Sequence, residues 1–121
     1  MKYLLGAALF ASLMSMPAAA APLSPETAHE VQCFIATSSL IDNPDKTISS
    51  GGLMGTLFFA GEVFGSDPHI DLAAAVKAEA QGLTDDRVKA LLTQCGGEMT
   101  DRGKQISAAG AQLQGPSAQT P

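Results

Sequence analysis

The sequence predicts a small all-α domain of four helices, in which one disulfide joins the first helix to the last. Four segments carry apolar residues at the three- and four-residue spacing of an amphipathic helix. Residues that favour helix starts precede two of them, Ser24 before Pro25 and Thr84 before Asp85. The chain also combines two cysteines with an N-terminal export pattern, which is typical of a disulfide-bonded secreted domain.

The first predicted helix begins at Pro25, with Ser24 as its N-cap, and runs to about Ile41. The cluster of Asp, Asn and Pro at positions 42–45 then ends it. Two groups of apolar residues lie on nearly opposite sides of this helix: Val31, Phe34, Ile35 and Ile41 on one, and Cys33, Ala36 and Leu40 on the other. We therefore expect it to be packed on both sides.

The second predicted helix begins near Ser49 or Ser50 and runs to about Gly65. Its only charged residue between positions 51 and 65 is Glu62, and large apolar side chains surround nearly the whole cylinder. This pattern predicts the central core helix of the domain. A β-hairpin is the alternative for this stretch, because Phe and Val also suit strands.

Two further helices complete the prediction. The third runs from about Asp71 to Gln81 and ends before Gly82. The fourth begins after Thr84, and Gly96-Gly97 predicts a kink or a break within it. Its apolar stripe is long and comprises Val88, Leu91, Leu92, Cys95, Met99, Ile106 and Leu113.

Residues 1–20 have the layout of a cleaved signal peptide. Lys2 precedes an uncharged run from residue 4 to 14, which is well short of the roughly 20 residues of a membrane-spanning helix. Cleavage after Ala20 is favoured over cleavage after Ala21, because the latter would place Pro22 directly after the cut. The expected organisation is a signal peptide over 1–20, a helical domain over 21–113 and a disordered tail over 114–121. An uncleaved N-terminal anchor is the alternative.

Cys33 and Cys95 are expected to form a structural disulfide, since an even cysteine count in an exported chain usually means a bridge. A catalytic pair would normally appear as Cys-x-x-Cys. Two separated cysteines with two histidines do not match a zinc-ligand pattern either.

Charge excludes two classes of partner. The chain has 12 acidic and 7 basic residues and a net charge of -5, and removal of Lys2 leaves the mature chain more acidic still. Nucleic acids and anionic membrane surfaces attract Lys and Arg clusters, which the sequence lacks.

The sequence contains no catalytic motif, so we expect a protein that is not an enzyme and that has no cofactor. The most ligand-like cluster is Asp67, His69 and Asp71, which could offer an imidazole and two carboxylates to a metal ion. The alternative is that both aspartates cap turns and helix starts. Glu62 is expected to lie on an exposed stripe or to pair with Arg87, Lys89 or Arg102, with a functional acid as the alternative. His29 is expected at the solvated surface, with a pH-sensing role as the alternative.

Three resemblances bear on function. Residues 31–36 and 88–95, each with one cysteine, resemble the paired helices of HdeA-type periplasmic acid-stress chaperones, which implies unfolding at low pH and holding of client proteins. The whole chain, and residues 55–61 and 95–104 in particular, resembles uncharacterised small exported two-cysteine helical proteins of alphaproteobacteria, which implies a compartment but no activity. The helical content and paired cysteines are also similar to periplasmic immunity proteins, which implies a stoichiometric binder.

The expected function is therefore protein–protein contact in the periplasm, as a chaperone-like or inhibitor-type binder of another periplasmic protein. A small-molecule or metal-binding module and a structural envelope component are the alternatives. If the apolar second helix is partly exposed, a homodimer is expected.

Overall fold

A computed structural model describes residues 22–115, and within them the chain forms four α-helices and no strand. The helices are α1 (Pro25–Ser38), α2 (Lys46–Ser66), α3 (Leu72–Ala80) and α4 (Asp85–Gln114). The predicted all-α fold is confirmed, and the β-hairpin alternative for residues 51–65 is wrong. The predicted signal peptide and residues 116–121 of the predicted tail lie outside the described residues.

The residue before each helix has a side-chain oxygen that accepts a hydrogen bond from a backbone N–H in the first turn. Ser24, Asp45, Asp71 and Thr84 are the four N-caps, and each oxygen accepts from the second or third residue beyond it. Asp45 starts α2 at Lys46, so the predicted start at Ser49 or Ser50 is wrong. The predicted end of α1 at Ile41 is also wrong, because the chain leaves the helix after Ser38 through a turn.

The hydrophobic core lies on two sides of α1, as the two apolar groups of that helix predict. On one side, Cys33 and Ala36 pack with Phe59, Leu91 and Cys95. On the other side, Val31 packs with Val63 of α2 and Ala75 of α3. Phe34 was predicted on the same side as Val31, but it packs with the cluster that contains Cys33 and Ala36.

The disulfide lies within the first of these clusters and joins α1 to α4, as predicted. The Cys33 and Cys95 sulfurs are bonded at 2.05 Å, and their Cα atoms are 5.7 Å apart. Both cysteines are fully buried.

The central helix of the domain is α1, so the prediction that α2 is central is wrong. α1 contacts each of the other helices, whereas α2 has its main contact with α1. α2 packs through Gly52, Gly55, Phe59 and Val63, a stripe at helical spacing. The glycines allow a close approach: a Cβ atom on Gly55 would lie 2.7 Å from Thr37 Cγ2. The opposite side of α2 is exposed.

α4 is one continuous helix through Gly96 and Gly97, so the predicted break is wrong, whereas a kink at the glycine pair stays a prediction. Packing on both sides of the glycine pair, by Cys95 and Met99, favours a continuous helix there. Beyond this point α4 extends past the core, and all residues from 100 to 109 are exposed. The predicted apolar stripe therefore divides: its first five members pack on the core, while Ile106 and Leu113 are exposed. The helix ends at Gln114, and Gly115 has a φ of 63°, which favours glycine.

Candidate functional site

Two surface features stand out in residues 22–115: a cleft beside the disulfide and an exposed apolar face on α2. The cleft, here called the His29 cleft, lies between α1, α2 and α4 and has a volume of about 430 Å³. It is lined by five acidic residues, by His29 and Arg102, and by three others. The lining residues are Glu26, His29, Glu30, Phe58, Phe59, Glu62, Glu98, Asp101, Arg102 and Gln105.

His29 connects the cleft to the disulfide. Its Nε2 atom lies 2.8 Å from Glu98 Oε1 and 3.5 Å from Cys33 Sγ. The His29 side chain is 28% exposed and that of Glu98 is 40% exposed. The expectation of a solvated His29 is therefore wrong, because the half-buried ring lies between a carboxylate and a sulfur.

Glu30 is the buried acid of the cleft. The residue is 7% exposed, and its Oε1 atom accepts a hydrogen bond of 2.9 Å from the Ser66 hydroxyl. Its Oε2 atom is buried and has no hydrogen-bond partner within residues 22–115. Burial raises the pKa of the Glu30 carboxyl, and the charges of Glu26 and Glu62 raise it further, whereas the Ser66 hydrogen bond and the charge of His29 lower it.

Replacing Glu30 with Gln is expected to raise the free energy of unfolding at pH 7, because Gln occupies the site without the charge that burial disfavours. The pKa of the Glu30 carboxyl is raised in the folded state, so protonation of this side chain favours the fold. This stabilisation is complete below the pKa of the unfolded chain and is lost as the pH rises through the pKa of the folded chain. The gain should therefore disappear toward pH 4. Urea unfolding of E30Q and wild type at both pH values measures it.

The control for this prediction is D86N. Asp86 is exposed in the first turn of α4, where a carboxylate favours the helix, and it is not among the charges that act on Glu30, so its loss should not stabilise the fold. Equal gains for E30Q at pH 7 and pH 4 would contradict the ionisation argument.

Exposed apolar side chains form the second feature, here called the α2 apolar face and defined as Leu53, Met54, Leu57 and Phe64. These residues are 49%, 66%, 66% and 46% exposed, respectively. The helix carries no charge between Lys46 and Glu62. Gly61 lies on the same side, and a Cβ atom there would meet nothing within 4 Å. A backbone could therefore approach this face closely.

The predicted metal candidates are engaged in backbone caps. Asp67 Oδ1 accepts from the His69 N–H at 3.1 Å, and Asp71 Oδ1 accepts from the Ala74 N–H at 3.0 Å. These contacts match the capping alternative. The three residues lie at a second cleft of about 460 Å³, beside Leu23 and Ile70. A metal ion at this turn stays a prediction.

The comparisons with known proteins give no relative. No protein-family model, no curated protein and no solved structure matches the chain. Within residues 22–115, none of the helices combines the length and the apolar character needed to cross a membrane.

The sequence interpretation missed a different group of potential ligands. Ligand atoms of His29, Cys33 and Cys95 lie within 4.8 Å of one another, a separation that suits ligands of one metal ion, but the two sulfurs are bonded to each other in this structure. Glu98 adds a carboxylate to His29. The available signal was spacing, since His29 precedes Cys33 by four residues and Glu98 follows Cys95 by three, each pair on one helix face.

Proposed function

We propose that the protein is exported to the periplasm and acts there without catalysis, by binding another exported protein through the α2 apolar face. The observation that carries the proposal is the exposure of Leu53, Met54, Leu57 and Phe64 along one side of a helix. Contiguous exposed apolar surface on a small domain commonly marks a protein interaction site.

The surroundings of the face favour a helix as the occupant. Gly61 and Gly65 leave open space beside Leu57 and Phe64, so that a partner helix could lie close to the α2 backbone. Exposed apolar residues at positions 53, 57 and 64 follow the spacing by which an amphipathic helix and its groove recognise each other. The partner we propose therefore presents the apolar side of an amphipathic helix.

Export is supported by two observations. The first is the signal-peptide pattern of residues 1–20. The second is the buried Cys33–Cys95 disulfide, which persists in oxidising compartments such as the periplasm. Together they make the proposed partner another protein of the same compartment.

Placing charges on the face is expected to abolish binding of the partner. The variant is Met54→Glu with Leu57→Glu, and both sites are exposed enough for the fold to tolerate the change. Burying each apolar side chain contributes about 1.5–3 kcal/mol, so the loss of both should weaken binding at least tenfold. The measurement is crosslinking in the cell, followed by quantitative mass spectrometry of the proteins recovered with the tagged chain.

The matched control is Ala73→Glu with Thr93→Glu, which adds the same charge at exposed positions of α3 and α4. Wild type and control should recover one protein in stoichiometric amount, and the face variant should not. Equal recovery by all three chains would contradict the proposal. Sedimentation of the purified chain tests the homodimer separately: a dimer that the face variant dissociates would make a second copy the occupant and overturn the proposed partner.

A further inference from the structure

We propose that the reduced protein binds a zinc ion between α1 and α4, with Cys33, Cys95, His29 and Glu98 as ligands. The disulfide-bonded chain cannot bind it, because its two sulfurs are bonded to each other. The inference is independent of the proposed protein partner, since it concerns the interior of the domain and not the α2 apolar face.

The distances suit a tetrahedral site. Zn–S bonds of about 2.3 Å and Zn–N bonds of about 2.0–2.1 Å place neighbouring ligand atoms about 3.3–3.8 Å apart. His29 Nε2 already lies 3.5 Å from Cys33 Sγ. It lies 2.8 Å from Glu98 Oε1, so the carboxylate would move away by about half an ångström to meet the tetrahedral spacing. After reduction the two sulfurs would separate by rotation about their Cα–Cβ bonds.

Each helix supplies two of the ligands at a spacing that places them on one face. His29 and Cys33 are four residues apart on α1, and Cys95 and Glu98 are three residues apart on α4. Metal sites in helical bundles are built in the same way, from ligand pairs on facing helices. Two thiolates with an imidazole and a carboxylate form a donor set that suits Zn²⁺.

The His29 cleft gives the ion a route to the buried sulfurs. Cys33 and Cys95 are fully buried, but His29 and Glu98 line the cleft and are partly exposed. The other carboxylates of the cleft, among them Glu26 and Asp101, attract cations to it.

The chemistry balances with a dithiol reductant. The dithiol transfers two electrons and two protons to the Cys33–Cys95 bond, which gives two thiols, and is itself oxidised to a disulfide. Zn²⁺ then displaces both thiol protons and binds the thiolates, so its affinity should rise with pH. Thiol–disulfide exchange with another disulfide, which accepts the two electrons and becomes two thiolates, re-forms the Cys33–Cys95 bond and releases the ion. The same site would be open in a newly exported chain before its disulfide forms.

The test uses the mature protein, reduced with a phosphine under anaerobic conditions, and Co²⁺ as a spectroscopic probe. Titration should give one cobalt per chain with a thiolate-to-cobalt charge-transfer band, and Zn²⁺ should displace it. His29→Gln and Glu98→Gln should each weaken zinc binding by about tenfold or more. Asp86→Asn is the control and should bind as wild type does, because Asp86 is exposed in the first turn of α4 and does not line the His29 cleft.

Circular dichroism shows whether the site needs the folded chain. If reduction lowers the helical signal, zinc should restore it in wild type and in D86N, and less so in H29Q. The oxidised variants should keep the wild-type spectrum, which shows that each substitution is tolerated. No charge-transfer band in the reduced chain, or equal zinc affinity in wild type and H29Q, would overturn the proposal.

Discussion

Replacing both cysteines with alanine is expected to lower the free energy of unfolding by about 4 kcal/mol, a large share of the stability of a domain of this size. The bridge spans 62 positions, and closing so long a loop removes many conformations from the unfolded chain. Alanine keeps the position apolar, so the main loss is the cross-link itself. For a domain of about 100 residues, the melting temperature should fall by roughly 15–30 °C.

Urea unfolding and thermal melting of C33A/C95A beside wild type measure this effect. The control is wild type reduced with a phosphine and depleted of metal, which should lose a similar amount. A double variant whose stability lies within about 1 kcal/mol of oxidised wild type would contradict the structural role of the disulfide.

Gly52→Ala is expected to destabilise the protein by about 2 kcal/mol, because this glycine lies where α2 crosses the end of α1. A Cβ atom there would lie 2.7 Å from Leu40 Cβ and 3.0 Å from both the Leu40 carbonyl carbon and the Thr37 carbonyl oxygen. Backbone atoms cannot move aside as the end of a flexible side chain can. The crossing would have to open, which would loosen the largest helix–helix contact of the domain.

The neighbouring residue provides the control. A Cβ atom on Gly51 would meet nothing within 4 Å, so Gly51→Ala should raise the free energy of unfolding by up to about 1 kcal/mol through helix propensity alone. Urea unfolding of the two variants should therefore give changes of opposite sign. Stabilisation by both substitutions would show that α1 and α2 do not approach as closely as described.

The prediction of helices succeeded where local chemistry decides them. Ser24 and Thr84 cap their helices as expected. The two apolar groups of α1 correctly predicted that this helix packs on both sides. Asp45 was interpreted as part of a helix stop, whereas its carboxylate accepts backbone N–H groups that start α2. One short acidic side chain can end one helix or begin the next, and the local sequence does not distinguish the two.

The packing of α2 could not be predicted from hydrophobicity, because apolar residues surround that helix. The side that packs on α1 carries Gly52 and Gly55, where small size permits contact, while the bulkier Met54 and Leu57 remain exposed. The site beside the disulfide was missed for another reason. His29, Cys33, Cys95 and Glu98 come together only when α1 and α4 pack, which no single segment of the sequence shows.

The intact mass of the protein purified from its native cell tests whether the chain is exported, as proposed, with the Cys33–Cys95 bond formed. The sample is treated with an alkylating reagent under denaturing, non-reducing conditions before measurement. The expected mass is that of a chain that begins at Ala21 and carries no alkyl group. It is lower than the mass of the reduced chain by two hydrogen atoms, because the two thiols have formed a disulfide. A chain that retains residues 1–20 and carries an alkyl group on both Cys33 and Cys95 would show that the protein is neither processed nor disulfide-bonded.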